Sequence, residues 1–308
     1  MTLQQLEYII AVDNHRHFAK AAQACFVTQP TLSMMLQKLE EELGILIFDR
    51  SKQPVVPTEI GRIVIEQARK VLQETAELRE IVENQREILR GELRLGIIPT
   101  LAPYLLPLFL KGFSEKYPDI RLIISELMTH DITQKLKKDQ LDIGIMATPT
   151  DDGELFETFL FKEQFVVYAA ENEAILNKRF LLAQDIDVNR LVLLEEGHCM
   201  RTQIINLCEL RQTTNQLPNI FYESGSIETL KNLIDIHSGI TILPELALQN
   251  LSKAQFKNVR FFQNPAPVRE ISIVTYRAFV KKRLVEVLKK EILAQLPLAL
   301  EKINRFYL

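Results

Sequence analysis

The chain has 308 residues, 47% of them apolar and 25% charged, which excludes a disordered polymer and predicts two or three domains with a sizeable core. Its net charge of −3 advertises no polyanion partner at the level of the whole chain, and its three cysteines, an odd number, exclude a structural disulfide framework. With no apolar run of 18 residues and no basic segment ahead of the first apolar stretch, neither a spanning helix nor a secretory leader is predicted, so no membrane association and a cytoplasmic location are expected.

The first 60 residues predict three short helices. Leu3, Leu6, Ile9, Ile10 and Val12 form one stripe, Phe18, Ala21, Ala22 and Cys25 a second, and Leu32, Met35, Leu36, Leu39 and Leu43 a third, all at three-and-four spacing. Thr28 is placed to cap the third helix, Pro30 suits its first turn, and Gly44 ends it. The stretch ILIFDRSKQPVVPT then predicts a small hairpin or wing around Arg50, Lys52 and Pro54. Thr58 precedes a helical pattern that runs to Gly91, about 32 residues or roughly 48 Å. Its less polar positions, Ile60, Val64, Ala68, Val71, Leu78, Val82 and Leu89, repeat near 3.5 residues and predict pairing with a second copy, a lone exposed helix being the alternative.

From Glu92 the pattern becomes short apolar strands alternating with helices: LRLGII, a helix over LAPYLLPLFLKGFSEKYP, IRLIIS, the ITQKLKKD helix, and LDIGIMA. This alternation predicts parallel βαβ units. Strands are likewise expected at FVVYAA, LVLLEE, NIFYES, ITILP and EISIVTY, with helices at IETLKNLIDIH and from about Val280 to the end.

The register of Phe18, Ala21, Ala22, Thr28, Gln29, Pro30, Leu32, Ser33, Leu39, Glu40, Leu43, Gly44, Leu46, Phe48 and Arg50, continued by Thr58 and Gly61, resembles the winged helix-turn-helix of LysR-type transcriptional regulators. The resemblance implies that Gln29, Pro30, Thr31, Ser33 and Met34 lie at double-stranded DNA in the major groove and that Arg50 and Lys52 of the wing contact phosphates. Gln is suited to adenine, Pro and Met to apolar contact. Residues 1–60 nevertheless hold five basic and seven acidic side chains, a net −2, so the basic footprint of a DNA-binding domain is missing there. The basic residues must be segregated on one face, or several copies must act together.

Within the same family, LLEEGHCMRTQIINLC resembles the redox segment of OxyR-type hydrogen peroxide sensors, matched at Gly197, His198, Cys199, Arg201, Gln203 and Cys208. The resemblance makes Cys199 peroxidatic and Cys208 resolving, and assigns Thr100, Thr129, His198, Arg201 and Arg269 to the peroxide pocket and its activation. The residue types fit the chemistry. Peroxide is attacked by thiolate, which neighbouring donors, positive charge or a helix N-terminus favour, and the sulfenic acid formed condenses with a nearby thiol. Were residues 199–208 one helix, their Cα atoms would lie about 13.5 Å apart, beyond the roughly 7 Å a disulfide spans, so the bond would require refolding. N-capping is the competing role for Thr100 and Thr129.

Together the resemblances imply three parts: a winged helix-turn-helix over 1–58, a dimerising linker helix over 59–90, and a two-subdomain regulatory module over 91–308 of periplasmic-binding-protein-like fold. Subdomain I is expected at about 91–163 and 268–308, subdomain II at about 164–267. They also imply a homotetramer, a dimer of dimers, that recruits RNA polymerase to antioxidant genes when oxidised by hydrogen peroxide and is reduced by glutaredoxin or thioredoxin. No cofactor or metal is expected, since His15, His17, His130 and His237 share no ligand spacing with Cys or carboxylates, and Cys25 is expected to pack in the core. Two alternatives stay open: a regulator whose small organic effector binds between the subdomains while the cysteines are passive, and a thiol peroxidase, against which the DNA-binding segment argues.

Overall fold

The computed structural model describes residues 1–83, 89–150, 152–207, 216–217, 220–221, 224–276 and 281–305. It divides into two compact units, the first mainly Met1–Ile88 and the second beginning at Leu89.

The first unit opens with α1 (Leu3–His15), α2 (Phe18–Ala24) and α3 (Gln29–Leu43). Each begins on a side chain that accepts an otherwise unpaired backbone N–H: Thr2 from Gln5, His17 from Ala19, and Thr28 from Thr31. Gly44 closes α3 at φ 68°, in the left-handed region where glycine carries no steric penalty. Leu6, Ile9, Val12, Ala21, Ala22, Leu32, Leu36 and Leu39 meet in one core. Cys25 ends α2 and packs at the edge of that core, with burial, and then Glu7, raising the pKa of its thiol.

The wing is a two-residue antiparallel pair, β1 (Phe48–Asp49) with β2 (Val56–Pro57). Thr58 joins it to α4 (Glu59–Glu83): its hydroxyl donates to Leu46 O at 2.7 Å and accepts from Gly61 N at 2.9 Å. Any Cβ at Gly61 would collide with the Ile47 carbonyl, so α4 starts hard against the wing. The expected continuation of this helix to Arg90 is not borne out, because Leu89 and Arg90 are not helical. Residues 84–88 and the side chain of Val82 lie outside the described residues. The expected stripe is also divided: Ala68 is buried in the chain's own core beside Ile65, and Val64 and Val71 pack at its edge, whereas Ile60 and Leu78 are exposed, as is Ile63 outside the stripe.

The second unit begins β3 (Gly91–Ile97), α5 (Ala102–Lys116), β4 (Ile120–Glu126), α6 (Thr129–Lys137), β5 (Ile143–Thr148). Here β3 lies parallel to both β4 and β5, as the alternation predicts. There follow β6 (Leu155–Ala169), β7 (Phe180–Leu181), α7 (Cys199–Leu207), β8 (Gln216–Leu217), β9 (Ile220–Phe221) and α8 (Ile227–Ile236). The unit ends with β10 (Ile240–Pro244), α9 (Lys253–Phe256), β11 (Val259–Phe262), β12 (Val268–Tyr276) and α10 (Lys282–Arg305). The main sheet has the order β4-β3-β5-β12-β6-β11-β7, with β10 also on β6. Beyond these parallel units the sheet is mixed: β12 runs antiparallel to β5 and β6, and β10 and β11 antiparallel to β6. A single strand, β6, changes partners along its length, facing β12 up to Gln164 and β10 from Phe165. The strand expected at LVLLEE is absent, its backbone making only isolated bridges from Leu191 to Ile240 and from Leu194 to Ser224. Among the described residues no helix is long and apolar enough to cross a membrane.

Candidate redox site and nucleic-acid interface

The N-terminus of α3 presents Gln29, Pro30, Thr31 and Met34 to solvent, with Ser33 half-buried beside them. Thr31 and Thr28 share a hydrogen bond of 2.8 Å between their hydroxyls. On the wing Lys52 is 65% exposed and 3.7 Å from Asp49, a surface pair that leaves its charge available. Arg50 is different. One amino group donates to Glu40 Oε2 at 2.8 Å, and the guanidinium lies over the Phe18 ring, 5.3 Å from its centre. Glu40, only 5% exposed, also accepts from Ile47 N at 2.8 Å and Phe48 N at 3.2 Å. Arg50 therefore ties the wing to α3 before it meets any ligand.

Pairing within the unit takes up charges of both signs in residues 1–60. Glu40 is consumed internally, Asp13 pairs with Arg16 and Arg69, Asp49 accepts from Ser51, and Glu42 pairs with the N-terminal amine. A count of charges treats these carboxylates as surface charge, whereas four of the seven are bound to groups of this unit.

In the second unit Cys199 is the first residue of α7, reached through Gly197 at φ 94°, a conformation that favours glycine. The first-turn amides of a helix lack intrahelical partners, and Cys199 sits among them. Met200 and Ile204, four residues apart, are the buried side chains that anchor α7. Cys199 is partly exposed, and Cys208 lies outside the described residues. His198 is 3% exposed, with Nε2 unbonded and 3.9 Å from Glu195 Oε1. Burial pushes its pKa below the ordinary value of 6.5, against a weaker opposite pull from Glu195, so it acts as a neutral imidazole and not as the positive charge the sequence reading allowed. Arg201 donates from Nη1 to Leu194 O at 2.6 Å, which fastens the start of α7 to the preceding loop.

Thr100 and Arg269, 169 positions apart in sequence, are brought together in the interior. Arg269, 1% exposed on β12, donates from Nη1 to Thr100 Oγ1 at 2.9 Å and from Nη2 to Thr100 O at 3.2 Å. Its Nε donates to Glu163 Oε2 at 2.8 Å. Glu163, on β6 one residue before the change of partners, also accepts from Leu246 N at 2.8 Å. Neither threonine is a helix cap: Leu101 precedes α5, and Met128 precedes α6. Thr129 instead holds a buried hydroxyl without a hydrogen-bond partner among the described residues.

Sequence reasoning missed Glu163, Tyr104, Glu228 and Lys231. Tyr104 donates its hydroxyl to Glu228 Oε1 at 2.8 Å, and Glu228 Oε2 accepts from the buried Lys231 at 2.7 Å. Burial and then the Glu228 bond raise the Tyr104 pKa, so the phenol stays protonated. Glu245, buried near Glu163, has its pKa raised by burial and then by that carboxylate. The one local signal in sequence was that Glu163 and Arg269 interrupt apolar strands, where a charge requires a partner.

Residues 3–62 match the bacterial regulatory helix-turn-helix protein family of lysR type, and residues 86–297 match the LysR substrate binding domain. The chain belongs to the LysR family. Within that family it is 34% identical over 276 residues to a hydrogen peroxide-inducible genes activator of Haemophilus influenzae, covering 89% of this chain and 90% of that protein. Its fold is similar to a full-length OxyR of Pseudomonas aeruginosa bearing a cysteine-to-aspartate substitution, with TM-score 0.80 and 34% identity over 95% of this chain and 98% of that one. A Corynebacterium glutamicum OxyR cysteine-to-serine mutant with H2O2 bound is similar at TM-score 0.63 and 27% identity, over 99% and 97% of the two chains. This LysR-family chain thus has the mixed α/β regulatory module and winged helix-turn-helix that its sequence predicts.

Proposed function

We propose that this protein is a DNA-binding transcriptional regulator that senses hydrogen peroxide, and not an enzyme that turns peroxide over. The Cys199 thiolate attacks one peroxide oxygen, forming the S–O bond as the O–O bond breaks and hydroxide leaves. The sulfenic acid then condenses with the Cys208 thiol, giving a disulfide and one water. The observation that carries this reading is that two of the four buried polar atoms without a hydrogen-bond partner among the described residues, Thr129 Oγ1 and His198 Nε2, fall on residues of the expected pocket, the others being Gln203 Oε1 and Gln249 Nε2. Buried polar atoms are nearly always paired, so an unpaired pair on such residues favours a small hydrogen-bonding ligand.

Thr100, aimed by Arg269, serves the same pocket, and Arg201 holds the start of α7. Gln29, Pro30, Thr31, Ser33 and Met34 read DNA, with Lys52 and the free edge of Arg50 on phosphates. The exposed Ile60, Ile63 and Leu78 support pairing of linker helices, and a dimer of dimers that recruits RNA polymerase in the cytoplasm is the assembly proposed. Glutaredoxin or thioredoxin returns the disulfide to thiols. The partner change within β6 supports a boundary between subdomains near residues 164 and 267.

Mass spectrometry of Cys199 and Cys208 before and after one equivalent of hydrogen peroxide tests the proposal. A new disulfide between them is expected. Two persistent thiols, with a small organic acid raising the melting temperature instead, would replace peroxide by an organic effector.

A further inference from the structure

Phe26 is the most exposed large apolar side chain of the chain's described residues, at 96%, and it sits where a phenylalanine is costly. The end of α2 is a Schellman motif: Val27 N donates to Ala22 O at 3.0 Å and Phe26 N to Gln23 O at 3.2 Å. In that motif the residue at Phe26 takes the left-handed conformation, φ 55° here, for which glycine or asparagine is favoured. The ring is almost wholly in solvent, so packing within the unit does not offset the strain. A residue both strained and unburied points to an external partner.

Its place identifies the partner. Phe26 is in the turn of the helix-turn-helix, three residues before Gln29, the first residue of α3, so the two Cα atoms are at most about 11 Å apart. Pro30 and Met34, four residues apart and both exposed, share one face of α3. The apolar group that DNA presents in the major groove is the thymine methyl. We propose that Phe26, with Pro30 and Met34, forms an apolar edge that packs on thymine methyls of the bound site. This rests on the reading of residues 1–58 as the DNA-binding domain.

The test uses full-length protein and a duplex that the wild type selects from a random pool. Phe26→Gly suits the left-handed turn better, so its melting temperature should equal or exceed the wild type's. Its affinity for the selected duplex should nevertheless fall about ten-fold, with unchanged salt dependence and unchanged binding to random duplex. Replacing the thymines of the site one at a time by deoxyuracil, which removes only the methyl, should reveal at least one position that weakens the wild type markedly more than Phe26→Gly, whose Pro30 and Met34 contacts remain. Wild-type affinity retained by Phe26→Gly overturns the inference, as does an equal deoxyuracil effect in both proteins at every position. Affinity retained together with an altered oligomeric state assigns Phe26 to a protein contact. Failure of the wild type to select any duplex overturns the DNA-binding reading itself.

Discussion

Thr100→Val separates a chemical from a structural role at the buried cluster. The substitution keeps the side-chain shape and removes the oxygen that accepts from Arg269 Nη1 at 2.9 Å. Arg269 retains Glu163 Oε2 and the Thr100 carbonyl, so the cost is one hydrogen bond to a charged donor, about 2 kcal/mol. The kinetic effect has a separate origin. Because Oγ1 is held as an acceptor by a guanidinium, its own proton is turned away from Arg269, and in the proposed pocket it donates to a peroxide oxygen. An oriented donor aimed at charge that develops in the transition state, here on the departing hydroxide, is worth about 100-fold in rate. Thr100→Val should therefore slow oxidation of Cys199 by about 100-fold, and Thr100→Ser should recover most of that loss. Quenched-flow alkylation of Cys199 measures the rate, and urea unfolding of the same samples measures the stability. If Thr100→Val loses stability but is oxidised at the wild-type rate, Thr100 is a buried strut and the donor argument fails.

The pH dependence of stability should contain a contribution from His198. The native imidazole is held neutral by burial while the unfolded one gains a proton below its ordinary value of 6.5, so the unfolded state binds more protons and stability falls as pH drops through 6.5. His198→Gln should flatten the urea midpoint between pH 7.5 and 5.5, and an unchanged slope would remove His198 from the account. On the wing, Arg50→Ala should lower stability by about 1 to 2 kcal/mol, because Glu40 loses its one charged donor but keeps the Ile47 and Phe48 amides, whereas Lys52→Ala should leave melting unchanged and make the salt dependence of DNA binding shallower by about one phosphate contact. Equal melting of the two variants would contradict the distinction.

What was legible in the sequence was mostly local. The helix stripes, the Thr28 cap, Gly44 and the wing are set by neighbours within about 15 residues, and each stands where expected. The motif around Cys199 was legible too, and α7 starts there, on the cysteine itself. Non-local pairing was not. Glu163 joins Arg269 across 106 positions and Tyr104 joins Glu228 across 124, and no spacing rule announces either. LVLLEE has a strand's pattern but forms only two bridges, since its apolar residues are buried without a ladder. Arg50 illustrates the same limit: its position in the wing is legible, but its pairing with the buried Glu40 is not.

The anchoring of α7 bears on how readily the proposed disulfide is reversed. In this reading oxidation unwinds part of a nine-residue helix that is buried at two side chains, Met200 and Ile204. Exposing both costs about 3 to 6 kcal/mol, a cost met by the new S–S bond. At about 1.4 kcal/mol per 30 mV for two electrons, the disulfide becomes more oxidising by roughly 65 to 130 mV. Taken from a structural disulfide at about −300 mV, this places the switch near −170 to −235 mV, a range that includes the roughly −200 to −230 mV of glutaredoxins. The light anchoring thus serves both directions, leaving the helix weak enough to yield to the disulfide and the disulfide weak enough to yield to a cellular thiol. A midpoint below −300 mV in glutathione-buffered titration of the full-length protein would show that oxidation does no work against α7, and that the two cysteines meet without unwinding it.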